Sequence, residues 1–196
     1  MRLLRRRDVV LALVADRGEL LVVAGLGAAA WDITAAGDHP GNFPMWGAMG
    51  SAVPIAIGLA LAQPKRPVLC LTGDGEMLMG IGSLAVAGVM APPNLTIVVL
   101  DNERYGETGM QPTHTASGVD LAAVASGFGI EQAQRIEHSS QLAPLREAIH
   151  ARRGPRFAVV KIDPEKLPLV LPPRETAYLK NRMRIEILGA DEALNG

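Results

Sequence analysis

Four long apolar runs constrain the fold of this chain more than any other feature. They are ELLVVAGLG, RPVLCLTGDG, NLTIVVLDN and PRFAVVKID, and EQAQRI is a weaker fifth candidate. A strand with one face in water alternates apolar and polar residues, whereas a strand covered on both faces is apolar along its length. The runs therefore predict strands of a parallel sheet that is covered on both sides.

Helical patterns separate these predicted strands. They are RRRDVVLALVAD, GSAVPIAIGLALAQ, EMLMGIGSLAVAGVM, VDLAAVASGFG and SSQLAPLREAIHARRG. Strands that alternate with helices predict an α/β fold, here a doubly wound, mostly parallel sheet with helices on both faces in a single domain. We expect the domain to span residues 1–163, and residues 164–196 to form a basic, proline-rich tail that packs on the domain or on a partner.

Composition excludes several classes of function. The formal net charge is -1, so no general attraction to nucleic acid or to an anionic membrane is expected. The stretch from 39 to 64 lacks Asp, Glu, Lys and Arg, but prolines interrupt it and its apolar part is too short to span a membrane. Cys70 is the single cysteine, which excludes an internal disulfide and fits a reducing cytoplasm.

Polar side chains follow two of the predicted strands. Asp74 stands between Gly73 and Gly75, and Asn102 comes after the next strand along the chain. Neighbouring parallel strands lie about 4.8 Å apart, so the two side chains are expected side by side. Their oxygens suit Mg²⁺, the glycines allow close approach of a ligand, and a helix that begins near Glu76 favours an anion. This pattern predicts a metal ion that holds a diphosphate.

A dinucleotide fingerprint offers a rival interpretation. Gly25, Gly27 and Ala30 follow the first strand with the spacing of that motif, which would indicate a nicotinamide-dependent dehydrogenase. However, no acid ends a strand about twenty residues further on, where ribose recognition needs one. The dehydrogenase hypothesis also leaves Asp74 and Asn102 without a role.

The spacing of GDG, about 25 residues and then DN resembles the motif of thiamine diphosphate-dependent enzymes. The resemblance implies thiamine diphosphate and Mg²⁺ as cofactors. It also implies that Asp74, Asn102 and the backbone carbonyl of Arg104 bind the metal. The remaining residues expected at the diphosphate are Gly27, Gly73, Gly75, Glu76 and Tyr105.

The segment MWGAMGSAVPIAIGLALA resembles the part of these enzymes that holds the aminopyrimidine ring. The resemblance implies that the Gly47 carbonyl accepts a hydrogen bond from the 4′-amino group and that Met49 props the bent cofactor. Ala28 and Ala29 stand where many members carry hydroxyl groups, so backbone N–H groups must serve the diphosphate there. Glu76 replaces a small or hydroxyl residue, and an acid beside a diphosphate must point away or meet a cation.

The resemblance covers only the diphosphate-binding domain of the family. The pyrimidine-binding domain, which carries the glutamate that activates the cofactor, has no counterpart in this sequence. We therefore expect a separate pyrimidine-binding (α) subunit to supply that glutamate in a hetero-oligomer. A noncatalytic role for this chain is the alternative, and activity of the assembled complex would distinguish the two.

The segment DNERYGETGMQPTHTASGVDLAAVASGFGI resembles the sulfopyruvate and phosphonopyruvate decarboxylase group. This resemblance implies that the enzyme decarboxylates a small anionic 2-oxo acid and releases CO₂ and an aldehyde. Carboligation, as in acetolactate synthases, is the alternative within the family. Candidate residues around the substrate are Glu107, Thr108, Gln111 and His114, and the arginines of the tail are candidates for binding its second anionic group.

Overall fold

A computed structural model describes residues 3–195. Six parallel strands form one sheet in the order β2-β1-β3-β4-β8-β7, and β5 and β6 form a separate antiparallel hairpin. In chain order the strands are β1 (Leu21–Ala24), β2 (Asn42–Pro44), β3 (Val68–Gly73), β4 (Leu95–Asp101), β5 (Arg104–Tyr105), β6 (Gln111–Pro112), β7 (Gln132–Ile136) and β8 (Arg156–Lys161).

Nine α-helices lie within these described residues. They are α1 (Arg6–Val14), α2 (Ala28–Ala35), α3 (Ala52–Ala62), α4 (Asp74–Met79), α5 (Ser83–Met90), α6 (Leu121–Gly127), α7 (Leu142–Ala151), α8 (Thr176–Leu188) and α9 (Ala190–Asn195). Two short 3₁₀ helices, His114–Ser117 and Ser139–Gln141, complete the chain path. No helix in the described part of the chain is long and apolar enough to cross a membrane.

Helices cover the sheet on both faces, and successive side chains of each strand point to opposite cores. Val23, Cys70 and Ile97 face a core built with α3, α4, α5, α6 and α8. Val22 and Leu71 face a second core built with α1, α2 and α7. The two cores explain why the strands are apolar along their length, and the predicted doubly wound α/β fold is confirmed.

Two helical segments differ from the expectation. The segment EMLMGIGSLAVAGVM forms two helices, α4 and α5, because the backbone of Gly80 packs against Gly50, where an added Cβ would lie 2.2 Å from the Gly50 oxygen. The segment AAAWDITA, which is not among the predicted helical patterns, forms α2. Its alanine content favours a helix, and its first turn begins directly after β1.

The chain after Asp163 forms α8 and α9, and α8 packs on the domain. Leu179 and Met183, one helical turn apart, are buried on this helix, and Met183 belongs to the first core. Arg182 donates to the Asp38 carboxylate (2.6 Å), and the Trp46 ring N–H donates to the Pro173 carbonyl (2.8 Å). The tail expected after residue 163 thus packs on the domain and forms hydrogen bonds with it.

Candidate functional site

A cavity of about 420 Å³ opens at the carboxyl edge of the sheet, beyond the ends of β1, β3 and β4. This is the edge at which doubly wound folds bind ligands. Most of the residues expected at the site line this one cavity, namely Gly27, Met49, Gly73, Asp74, Gly75, Glu76, Asn102, Arg104, Tyr105, Glu107 and Thr108. Gly47, Gln111 and His114 are exposed and are not among its lining residues.

The register of β3 and β4 sets the arrangement of the polar groups. Gly73 pairs with Leu100, so Asp74 follows in register with Asp101, and Asn102 lies one position further on. Glu103 then adopts a left-handed backbone conformation (φ 62°), which turns the chain back into β5. The side-chain oxygen of Asn102 accepts a hydrogen bond from the Arg104 N–H (3.0 Å), which fixes the amide orientation at the cavity.

Asp74 is a buried carboxylate, 2% exposed. Its Oδ2 accepts hydrogen bonds from the hydroxyls of Thr113 (2.5 Å) and Thr115 (3.1 Å). Burial raises the pKa of Asp74; the threonine hydroxyls oppose this rise and the nearby Asp101 adds to it. No Lys, Arg or His of the described residues forms an ion pair with Asp74, so its charge lacks a counter-ion from this chain.

Asp101 lies next to Asp74 but, unlike Asp74, forms an ion pair with a lysine. Its Oδ2 accepts a hydrogen bond from Lys161 Nζ (2.8 Å), which also donates to Glu103 (2.5 Å). Burial alone would lower the pKa of Lys161, but these two hydrogen bonds outweigh it and the net pKa is raised. The Thr115 hydroxyl lies 2.9 Å from Asp101 Oδ1, so one threonine bridges the two acids.

Glu76 is buried beside the cavity and turns its carboxylate toward β3. Its Oε2 accepts a hydrogen bond from the Thr72 hydroxyl (2.9 Å) and lies against Gly25, where an added Cβ would be 1.7 Å away. Its Oε1 has no hydrogen-bond partner. Burial raises the pKa of Glu76, and Thr72 and the N–H groups of Gly50 and Ala52 oppose the rise. Glu76 meets no cation of the described residues. Of the two alternatives expected for an acid beside a diphosphate, a carboxylate that points away from it fits Glu76 and one paired with a cation does not.

Glycines bring the backbone close to other groups around the cavity. An added Cβ on Gly75 would lie 2.3 Å from the Tyr105 ring, so this ring packs over Gly75. Gly27 (φ 83°) precedes α2, and the Glu107 carboxylate lies 3.3 Å from where its Cβ would be. Burial raises the pKa of Glu107, and the charge of Arg6 opposes that rise.

Met49 and the arginines of the tail differ in their relation to the cavity. Met49 lines it but remains 39% exposed. Of the arginines in the tail, Arg182 pairs with Asp38 and Arg184 donates to the Ala193 carbonyl (3.4 Å); none of them is a lining residue.

Sequence reasoning missed several residues of the site. In Thr113-His114-Thr115 it selected the histidine, yet the two threonines are buried on Asp74 and the histidine is exposed. Two hydroxyl residues on either side of a histidine form an alternating pattern, and this pattern could have pointed to the two threonines. Arg6, Lys161 and the segment from Pro164 to Leu169 were also missed, because they approach from distant parts of the sequence.

The parallel sheet and the acidic, glycine-rich cavity at its edge define a doubly wound α/β domain suited to phosphorylated ligands. The sequence matches the model of the thiamine pyrophosphate enzyme C-terminal TPP binding domain over residues 27–162. This chain therefore belongs to the thiamine pyrophosphate enzymes, which confirms the family expected from its motifs.

Individual relatives agree with this assignment. The chain is 37% identical over 172 residues to sulfopyruvate decarboxylase subunit beta of Methanothermobacter thermautotrophicus, covering 88% of this chain and 89% of that protein. It is 38% identical over 146 residues to phosphonopyruvate decarboxylase of Streptomyces viridochromogenes, covering 74% of this chain and 36% of that protein. The fold matches benzoylformate decarboxylase from Polynucleobacter necessarius with a TM-score of 0.70 at 22% identity, covering 85% of this chain and 34% of that chain. The chain thus spans about a third of these two longer proteins.

Proposed function

We propose that this chain is the diphosphate-binding catalytic subunit of a thiamine diphosphate-dependent decarboxylase that acts on a small anionic 2-oxo acid. The observation that carries the proposal is the buried Asp74 carboxylate, which has no counter-ion among residues 3–195 and shares a cavity with Asn102. A buried charge without a partner is costly, and a bound cation removes that cost.

Magnesium fits this set of donors. Asp74, Asn102 and the Arg104 carbonyl would hold it, and magnesium bound to a diphosphate needs only one or two protein carboxylates. The described residues contain no group of three or more His, Cys, Asp or Glu side chains that could hold a metal. A zinc-type site is therefore disfavoured in this part of the chain, whereas a phosphate-bridged magnesium needs no such group.

Thiamine diphosphate, when bound, supplies the nucleophilic carbon and the electron sink for loss of CO₂. The residues of this chain position it. Backbone N–H groups at the start of α2 and α4 favour the phosphates, Tyr105 packs over Gly75 beneath them, and Met49 at the cavity mouth gives apolar support. Glu107 lies at the same mouth, and its raised pKa suits it to hold a proton near the substrate.

The substrate class is proposed from the named relatives. Sulfopyruvate and phosphonopyruvate are both 2-oxo acids with a second anionic group, and the relatives named for them align over most of this chain. Thr108 lines the cavity beside Glu107 and donates to Gln111 (2.8 Å), so the loop offers a hydroxyl oxygen there as well as the carboxyl group of Glu107. The role of the exposed His114 at the substrate stays a prediction.

A separate pyrimidine-binding subunit is part of the proposal. Helix α5 is apolar on all sides, yet only Leu84 and Ala87 are buried and Val89 is 84% exposed. Helices of this composition are normally covered, and exposed apolar patches mark interfaces. Met79, which is 57% exposed, and Met49, which lines the cavity, are further exposed apolar side chains. The cytoplasmic location expected from the lone Cys70 stays a prediction.

Reconstitution tests the proposal. The chain is mixed with its pyrimidine-binding partner, Mg²⁺ and thiamine diphosphate, and aldehyde release is followed with sulfopyruvate, phosphonopyruvate and pyruvate. We expect release that depends on both chains and both cofactors, and a preference for the substrates with a second anionic group. Formation of a carbon–carbon ligation product instead of an aldehyde would contradict decarboxylation, and activity without thiamine diphosphate would contradict the whole proposal.

A further inference from the structure

Arg6 lines the cavity, although its side chain is more than nine-tenths buried. Its Nε donates to the Asp32 carboxylate, but its two terminal amino groups have no hydrogen-bond partner among residues 3–195. A guanidinium that is buried, fixed at one end and open at the other can bind an anion with two parallel N–H bonds.

The position of Arg6 is fixed by α2. Asp32, which is fully buried on this helix, accepts from Arg6 and also from Arg7 Nε (3.2 Å). Arg7 differs from Arg6 at its terminal groups, because its Nη2 donates to the Pro168 carbonyl (2.7 Å) and Arg7 is not a lining residue. The two adjacent arginines thus share one acid, but only Arg6 presents free donors to the cavity.

The start of α2 supplies further donors at the same place. The first backbone hydrogen bonds of this helix are given by Ala30 and Trp31, so the N–H groups of Gly27, Ala28 and Ala29 make no backbone hydrogen bond. Ala28 and Ala29, the positions at which the motif resemblance implied hydroxyl groups, also line the cavity. Alanine methyl groups cannot contact a phosphate in that way, so a donor is missing from this side.

We propose that Arg6 binds the outer phosphate of the cofactor diphosphate and takes the place of the missing hydroxyls. This inference rests on the proposed function. Besides its ion pair with Asp32, Arg6 acts through its charge on Glu107, whose carboxylate lies against Gly27.

Binding of two thiamine phosphates to the complex of this chain with its pyrimidine-binding partner tests this assignment. Thiamine diphosphate and thiamine monophosphate are titrated by calorimetry at fixed Mg²⁺ against wild type, Arg6→Gln, Arg6→Lys and Arg7→Gln. We expect Arg6→Gln to weaken thiamine diphosphate binding by about 10-fold or more, as for loss of hydrogen bonds to a charged group. Binding of the monophosphate, which lacks the outer phosphate, should stay unchanged.

Two matched variants separate binding from folding. Arg7→Gln removes the other charge on Asp32 and should leave thiamine diphosphate affinity unchanged. Arg6→Lys keeps the charge beside Asp32, so it should fold even if Arg6→Gln does not. It should still weaken thiamine diphosphate binding selectively, because an ammonium group cannot replace the bidentate fork.

The outcomes distinguish this inference from the proposed function. If the wild-type complex does not bind thiamine diphosphate with Mg²⁺, the proposed function fails and this inference fails with it. If wild type binds but neither Arg6 variant loses affinity for the diphosphate selectively, only the assignment of Arg6 is overturned. A rise in KM for the 2-oxo acid without loss of cofactor affinity would place Arg6 at the substrate and would also overturn it.

Discussion

The carboxyl ends of β3 and β4 carry acids in equivalent positions with opposite electrostatic surroundings. Asp74 and Asp101 are both almost fully buried, and both lie within hydrogen-bonding distance of the Thr115 hydroxyl. Asp101 has a cation of its own chain, Lys161. Asp74 has hydroxyl and backbone N–H donors but, among the described residues, no cation. The acid at the end of β4 is therefore paired with a cation of the protein, whereas the acid at the end of β3 needs a bound cation to balance its charge.

This difference assigns separate roles to the two acids. Asp101, which is paired with Lys161, has a structural role. It accepts from the Glu103 N–H and from Lys161, and so holds the turn at Glu103 against β8. A buried acid without a paired lysine lowers the stability of the ligand-free chain, and such a cost is typical of functional sites. The comparison therefore predicts that the two acids respond oppositely to removal of their charge.

The largest effect is expected for Asp74→Asn. The amide oxygen can still accept from the threonines, but the charge for the metal is lost. Residues that only orient metal ligands typically contribute 10–100-fold to metal affinity, so loss of a ligand charge should weaken Mg²⁺-dependent thiamine diphosphate binding by about 100-fold or more. Calorimetric titration of the variant measures this loss.

The same variant should unfold at the same or a higher temperature than wild type when both are free of metal, because it removes an uncompensated buried charge. Thermal unfolding in EDTA checks this. A clear loss of stability together with normal cofactor affinity would reverse the roles that we assign to the two strand ends.

The local part of this comparison could be predicted from sequence. Asp74 and Asn102 each follow an apolar run, and the edge at which parallel strands end brings them together. The partners of Asp74 could not be found in this way, because Thr113 and Thr115 follow it by 39 and 41 residues in sequence. Their burial depends on how the β5–β6 hairpin folds back, which no local pattern specifies.

The rest of the fold shows the same limit. Apolar runs identified every long strand, whereas the three-residue β2 was missed because so short a segment has no periodicity. Arg6 had no distinguishing pattern among three consecutive arginines, and only the position of Asp32 on α2 selects it. Gly80 interrupts a predicted helix because of a contact with Gly50, 30 positions earlier.

Lys161→Met should affect stability rather than binding. It leaves Asp101 buried without its counter-charge, and we expect the free energy of unfolding to fall by about 2–3 kcal/mol, below the roughly 3–5 kcal/mol typical of fully buried pairs. Thiamine diphosphate affinity should stay within about 2-fold, since the lysine contacts none of the proposed metal-binding groups. Urea unfolding and calorimetry measure the two quantities.

Lys180→Met is the matched control for this change. Lys180 is an exposed lysine of α8, and its removal should alter the free energy of unfolding by less than about 0.5 kcal/mol. If Lys161→Met instead removed cofactor binding while stability stayed unchanged, Asp101 rather than Asp74 would be the acid of the metal site.

Thr115→Val removes the hydroxyl that lies between the two acids and keeps the shape of the side chain. Asp74 retains Thr113 and Asp101 retains Lys161, so the free energy of unfolding should fall by only about 1 kcal/mol. Metal-dependent thiamine diphosphate binding should weaken by about 10-fold, because this hydroxyl helps to orient Asp74. Thr115→Ser, which keeps the hydroxyl, should restore both quantities; failure of serine to do so would assign the effect to packing.

The smallest expected effect is the pH dependence of the Lys161 pair. The pKa of Lys161 is raised above the usual lysine value of 10.5, so the folded chain retains this proton at a pH where the unfolded chain loses it. Its stabilising contribution is therefore complete below pH 10.5 and is lost as the pH rises through the folded pKa. The difference in the free energy of unfolding between wild type and Lys161→Met should stay constant from pH 6 to 9 and shrink only above about 10.5. A difference that declined near neutral pH would mean that Asp101 is held by a group other than this lysine, and that the two strand ends are less distinct than their contacts indicate.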